Sequence, residues 1–261
     1  MQRITSRQNS IVAQYRAAAH GDANGVMLLD GAHLVSDALA ARIPLQHLMV
    51  AAEAQDNADI QRLIADAHAH HVTIAVAVSK VMEAASPVRS SSPIIALAKR
   101  QSRASDVYSA KEPLILIACD VQDPGNLGAI ARVAEAAGAS GLVAAGESAD
   151  PYGWKALRGS MGSAFRLPIA THKTADEAVA EARRHRCRIV ATVPRGGTSL
   201  SSGNLRPPVA ILIGGEGHGL PPSLVAGADV RVTIPMQAPV ESLNAAVTAA
   251  LVAYEARRQR S

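Results

Sequence analysis

The sequence predicts an α/β protein of two units, a smaller one followed by one built on a mostly parallel sheet covered on both faces. Three observations carry this. Apolar runs of strand length alternate with stretches of helical apolar spacing from residue 26 onward. Runs such as Leu114–Cys119 and Val209–Ile213 are apolar throughout, as strands buried on both sides must be. Residues 100–112 break the periodicity with mixed charge. The expected division is a first domain over 1–103, a linker over 104–112 and a second domain over 113–261.

Residues 1–20 read as a basic arm leading into a short helix. A strand follows at Val26–Leu29, then a helix over Gly31–Ala41 and a strand at His47–Val50. Asn57–His70 forms a helix whose Ile60, Leu63, Ile64 and Ala67 share one face. Val72–Val78 is a strand, Ser79–Ala85 a helix capped by Ser79, residues 89–93 a loop, and Pro93–Ala98 a strand.

In the second unit the βα alternation continues. Leu114–Cys119, Asn126–Ala137 and Gly141–Ala144 are followed by a looser region through Trp154. Phe165–Ile169, Ala175–Arg186, Arg188–Val193, Val209–Ile213, Pro221–Val225, Val230–Ile234 and Ser242–Arg258 complete it. Chain alternating in this way builds a parallel sheet with helices on its faces.

Hydrophobic content of 48% against 18% charged residues excludes a disordered chain. Aromatics at 2% leave the core to aliphatic residues and argue against a stacking platform for single strands. The net charge of +4 leans mildly toward polyanionic partners. Cys119 and Cys187 sit in apolar runs and read as buried thiols. No apolar run reaches the ~20 residues of a membrane span and no secretory pattern opens the chain, so no membrane is expected and the cytoplasm is the expected compartment.

Three stretches stand out chemically. In Ile211-Leu-Ile-Gly-Gly-Glu-Gly-His-Gly-Leu220 an apolar run stops in a loop holding four glycines around an acid. It lacks both the G-x-G-x-x-G spacing of dinucleotide sites and the Gly-Lys-Ser/Thr of a P-loop, which leaves a ligand loop of another kind or a tight turn. In Ile234-Pro-Met-Gln-Ala-Pro-Val-Glu-Ser-Leu-Asn244 two prolines stiffen a loop that hands over to a helix at Ser242. In Asp120–Arg132, Asn126 suits a helix cap, and Arg132 lies among apolar neighbours that imply a carboxylate or phosphate partner. His68, His70 and His71 close a helix without a completing cluster, so no metal is expected. The basic run Arg183–Arg188 reads as a solvated helix end or a contact to an RNA backbone.

Together these stretches resemble the three motifs of the SpoU (TrmH) family of RNA ribose 2′-O-methyltransferases. Asp123-Pro-Gly-Asn-Leu-Gly-Ala-Ile-Ala-Arg132 is similar to the first, Ile211–Leu220 to the second and Ile234–Asn244 to the third, in the same order. The first unit resembles the ribosomal protein L30-like RNA substrate-binding domain often joined to this family, through its length, βα order and the tail Ser91-Ser-Pro-Ile-Ile-Ala96. The resemblance implies a carboxyl-terminal α/β knot, a deep trefoil, and S-adenosylmethionine as cofactor. It also implies a homodimer formed through the C-terminal domain, in which the site borrows from the partner subunit, and an RNA substrate, ribosomal in preference to transfer RNA. By position it implies Gly214, Gly215, Gly217, Ile234, Met236 and Leu243 around the cofactor. It further implies Arg132 as the catalytic arginine, with Asn126, Glu216, Ser242 and Asn244 around the reacting ribose. The alternatives are a non-catalytic RNA-binding protein associated with the ribosome, a transfer-RNA 2′-O-methyltransferase, and a knotted enzyme methylating a base.

Overall fold

The computed structural model describes residues 1–260 apart from Arg89 and Pro207; Arg89, at the head of the loop expected over 89–93, lies outside the described residues. The chain forms two compact units, Met1–Gln101 with Tyr152–Phe165, and Ser102–Pro151 with Arg166–Ser261.

The first unit runs β1 (Gln2–Ile4), α1 (Ser10–His20), β2 (Val26–Asp30), α2 (Ala32–Ala40), β3 (Leu45–Ala51), α3 (Ala58–Ala69), β4 (Thr73–Ala77), α4 (Ser79–Ala85) and β5 (Ile94–Lys99). Its sheet has the order β1-β4-β3-β5-β2, with β5 antiparallel to both neighbours. Strand side chains alternate between faces. Leu28, Met49, Ala75 and Leu97 join α1 and α4 residues such as Val12, Tyr15 and Met82 in one core. Helices α2 and α3 pack together over the same sheet. Local chemistry sets the helix starts. Asn9 Oδ1 accepts from the Ile11 amide at 2.9 Å, and Asn57 Oδ1 from Asp59 and Ile60 at 3.0 and 3.2 Å.

Two expectations change here. The first residues are not only an arm: Gln2–Ile4 pairs in parallel with β4 and buries Ile4. Ser79 does not cap α4. Val78 holds the cap position, and the Ser79 hydroxyl instead donates to Glu53 Oε1 at 2.9 Å.

Inside this unit Tyr15 and His47 form a buried polar pair. The Tyr15 oxygen lies 3.0 Å from His47 Nδ1 and 3.3 Å from the carbonyls of His47 and Ile95. The pattern is satisfied when Nδ1–H donates to the tyrosine oxygen and the hydroxyl donates to a carbonyl. His47 Nε2 then has no partner among the described residues, and burial lowers the imidazole to about 4. An unfolded histidine titrates near 6.5. Between those values the unfolded chain binds more protons, so this contribution is complete above about pH 6.5 and is lost as pH falls toward 4. The loss is on the order of 2–3 kcal/mol. Thermal unfolding between about pH 7 and about pH 5 is expected to show a smaller loss of stability in His47→Leu than in the wild type. Equal slopes would show that His47 is not the sensor.

The second unit runs β6 (Leu114–Cys119), α5 (Pro124–Ala136) and β7 (Gly141–Ala145), and resumes after α6 (Trp154–Ser160) and α7 (Ser163–Arg166). It continues with β8 (Ile169–His172), α8 (Ala175–Arg184), β9 (Arg188–Thr192), β10 (Thr198–Ser199), β11 (Val209–Gly214), α9 (Pro222–Gly227), β12 (Val230–Thr233) and α10 (Ala245–Arg260). The seven strands lie in the order β10-β12-β9-β11-β6-β7-β8, and every pairing is parallel. One face packs Ile115, Ile117, Val143, Ile189 and Leu212 against Ala178 and Ala182 of α8. The opposite face is covered by α5 and α10, which also pack on each other. Arg257 donates to the Ala136 carbonyl at 2.8 Å and Arg260 to the Gly138 carbonyl at 3.0 Å, satisfying the carboxyl end of α5.

The expected strand over Phe165–Ile169 is shifted. Phe165 is a buried residue of the short α7, and the strand begins only at Ile169. Within residues 104–112, Val107 is fully buried in the second core and Tyr108 stacks on His185 with centroids 4.4 Å apart. Cys119 and Cys187 are free and buried; burial pushes their thiols up to about 12 and about 11. Among the described residues no helix is long and apolar enough to cross a membrane.

Candidate active site at the carboxyl end of the parallel sheet

Strands β6, β9, β11 and β12 all end on one edge, the end at which open parallel sheets offer ligand crevices. A cavity of about 670 Å³ opens there within the second unit. One wall is the loop after β11, where Gly214, Gly215 and Gly217 leave the backbone uncovered. The other is the loop after β12, which contributes Ile234, Met236 and Leu243. Glu216, Ser242 and Asn244 line the same space, so nine of the eleven residues singled out from the sequence meet there.

Gly215 shows why side chains are excluded from the first wall. A Cβ built on it would stand 1.9 Å from the carbonyl oxygen of Asp120, the residue after β6. Asp120 is held in turn with φ at 56°, its Oδ1 accepting from the Glu147 amide at 2.8 Å. The β11 loop therefore rests directly on the end of β6.

Asn126 is not the cap of α5. Asp123 is: its Oδ1 accepts from the Asn126 amide at 2.7 Å, and Pro124 takes the first helical turn. The Asn126 side chain is thereby free to bridge the two walls. Its Nδ2 donates to Glu216 Oε1, and its Oδ1 accepts from Asn244 Nδ2 at 3.0 Å. Nor does Ser242 start the last helix. Asn244 does, with Oδ1 accepting from the amides of Ala246 at 2.9 Å and Val247 at 3.3 Å. One asparagine thus both caps α10 and joins the polar bridge.

Arg132 stands apart from this cluster. It lies six residues beyond Asn126 on α5, about 9 Å along the helix axis. It is exposed, does not line the cavity and has no hydrogen-bond or ion-pair partner among the described residues. The expected partner is not within the described chain, which leaves the guanidinium open to an external anion.

The third side of the cavity carries no local signature in the sequence. Thr192, Val193 and Pro194 at the end of β9 line it, as do Thr248 on α10 and Glu241 on the β12 loop. The β9 end is placed by sheet pairing beside β11, tightened by the Thr192 hydroxyl donating to the Leu212 carbonyl at 2.8 Å. Only the strand order reveals that adjacency. The basic run is largely consumed internally. Arg183 bonds Asp229 and the Gly227 carbonyl, Arg184 pairs with Glu181, and Arg188 donates to the Asn204 and Arg206 carbonyls.

Over residues 113–254 the sequence matches the SpoU rRNA Methylase family. A 23S rRNA (uridine(2479)-2′-O)-methyltransferase of Streptomyces viridochromogenes is 31% identical, across 99% of this chain and 92% of its own. The Bacillus subtilis 23S rRNA (guanosine(2553)-2′-O)-methyltransferase RlmP is 27% identical, across 98% of this chain and 100% of its own. Among solved structures, the AdoMet-bound rRNA methyltransferase from Sinorhizobium meliloti superposes with a TM-score of 0.84 at 30% identity, covering 98% of this chain and 97% of that one.

Proposed function

The chain belongs to the SpoU rRNA methylase family, and from that premise we propose that it is an S-adenosylmethionine-dependent RNA methyltransferase. It transfers a methyl group to a ribose 2′-hydroxyl of ribosomal RNA. The observation that carries this reading is the cavity whose two loop walls are bridged by Asn126, with Arg132, which has no partner among the described residues, on the same helix.

The cavity suits the cofactor. Its uncovered glycine wall offers backbone groups to a purine edge, and Ile234, Met236 and Leu243 offer apolar surface to its faces. We assign Gly214, Gly215, Gly217, Ile234, Met236 and Leu243 to cofactor binding. When bound, S-adenosylmethionine supplies a methyl group already activated on a sulfonium sulfur. The chain's own residues supply alignment and charge. A guanidinium stays protonated near neutral pH, so Arg132 does not act as base. It binds a backbone phosphate and the 2′-oxygen, stabilising negative charge as the hydroxyl loses its proton. Asn126, Glu216, Ser242 and Asn244 orient the ribose, and holding the oxygen in line with the methyl accounts for much of the rate.

The reading extends to assembly. Val247, Leu251 and Tyr254 follow one another at helical spacing on α10 and are 47%, 42% and 51% exposed. Such an apolar stripe supports a homodimer formed through the second unit. The close seating of the 214–220 loop on Asp120 supports a carboxyl-terminal trefoil knot. The first domain, residues 1–103, joined through 104–112, selects the RNA, and the free buried thiols support a reducing cytoplasm.

The test is incubation of total RNA with the protein and methyl-labelled cofactor, followed by nuclease digestion and mass spectrometry. Label is expected on the 2′-oxygen of a ribosomal RNA nucleotide. Label on a base, label confined to transfer RNA, or no label at all would each overturn the assignment.

A further inference from the structure

The charged side chains that line the cavity are of one sign. Glu216 and Glu241 contribute carboxylates, and among the described residues no lysine or arginine lines it. Glu216 is already engaged by Asn126. Glu241 is exposed on the β12 loop and has no hydrogen-bond or ion-pair partner among the described residues. It lies two residues before Leu243 on the wall assigned to the cofactor.

We propose that Glu241 makes the cavity prefer a methyl donor that carries positive charge at sulfur over the demethylated product. The inference rests on the reading of the cavity as the S-adenosylmethionine site. Transfer breaks the sulfur–methyl bond and leaves the electron pair on sulfur. The oxygen–methyl bond forms and the hydroxyl proton passes to solvent water. The cofactor thereby loses one positive charge while the cavity keeps both carboxylates. The apolar contacts of the cavity treat donor and product nearly alike. A carboxylate near the sulfur does not.

Across ~6 Å of water-like dielectric, one such charge favours the cation by roughly threefold, and more where water is thinned. The direction is the useful one for turnover: the spent cofactor is held less tightly than the donor that replaces it. Because the interaction is exposed, it weakens as salt is raised.

Calorimetric titration of the whole 261-residue chain tests this with three ligands. S-adenosylmethionine and sinefungin, whose amine stands where the sulfonium methyl does, both carry the charge. S-adenosylhomocysteine lacks it. Glu241→Gln is expected to weaken the two cationic ligands by about threefold to tenfold and S-adenosylhomocysteine by less than about twofold. Glu241→Asp, which keeps the charge, is expected to keep most of the preference. The gap between wild type and Glu241→Gln should narrow in high salt. Equal weakening of all three ligands would overturn the proposal, because it would place Glu241 on the amino group they share. Unchanged affinities would overturn it as well. Failure of all three to bind the wild type would overturn the reading of the cavity itself.

Discussion

Replacing Arg132 with alanine is expected to lower methyl transfer by about a thousandfold or more, while S-adenosylmethionine affinity stays within about twofold. The size of the effect follows from the role. Removing one preorganised group that stabilises developing negative charge typically costs about a hundred- to a thousandfold, and Arg132 would also lose its hold on the phosphate. Its selectivity follows from the structure. Arg132 does not line the cavity, so shortening it leaves the cofactor walls intact. It is exposed and makes no bond or ion pair within the described chain, so the thermal midpoint should not move either. Arg132→Lys, which keeps the charge but loses the two-pronged geometry, should recover only part of the rate. Label incorporation and calorimetry on the same preparations check all three points. Wild-type turnover in Arg132→Ala would remove Arg132 from the reaction.

Gly215→Ala is expected to abolish cofactor binding and to destabilise the second unit by about 3 kcal/mol, the upper end of what an overpacked site usually costs. The added methyl would meet the carbonyl oxygen of Asp120 at 1.9 Å and its carbon at 2.5 Å. Neither is the flexible tip of a side chain. Asp120 is held by the Glu147 amide and by the hydrogen bond its own backbone N–H donates to the Ala145 carbonyl at 3.1 Å, so relief has to come from the β11 loop. Moving that loop separates Glu216 from Asn126 and opens the cavity. Gly217→Ala is the control. Nothing lies within 4 Å of its would-be Cβ, although its φ of 89° makes the residue strained. Its cost should be near 1–2 kcal/mol, with weakened but measurable binding. Thermal unfolding and titration with S-adenosylmethionine rank the two variants. Equal costs would mean that close approach at Gly215 is not what matters.

Much of the fold was readable because burial writes itself into the chain. Strands such as Leu114–Cys119 and Val209–Ile213 are covered on both sides and are apolar at every position. The missed elements are those where burial is too brief to leave a pattern. Gln2–Ile4 buries only Ile4, and Thr198–Ser199 has no fully buried residue. The helix caps expected at Ser79, Asn126 and Ser242 stand one to three residues away in the structure. Each lies within three residues of another residue able to cap or to hold extended backbone, and the choice is made by a dihedral angle, not by composition. The candidate site divides in the same way. Its two loops were legible from glycine and proline, whose backbone demands are local. The β9 side was not, because it joins the cavity only through the order of strands in the sheet. The bridge from Asn126 to Glu216 and Asn244 spans 90 and 118 residues of sequence, and no local rule reaches so far.

The central strand pairing carries a consequence for the order of assembly. β6 pairs with β7 soon after both exist, but its other edge waits for β11, with Leu114 opposite Val209. Closing a loop of that length before any contact repays it makes for slow folding. Until Val209–Gly214 arrives, a nascent chain holds β6 as a bare apolar edge, the kind that recruits strands from other molecules. Fragments ending between β9 and β11 should therefore aggregate, and the cavity walls should be the last part of the second unit to gain protection from hydrogen exchange.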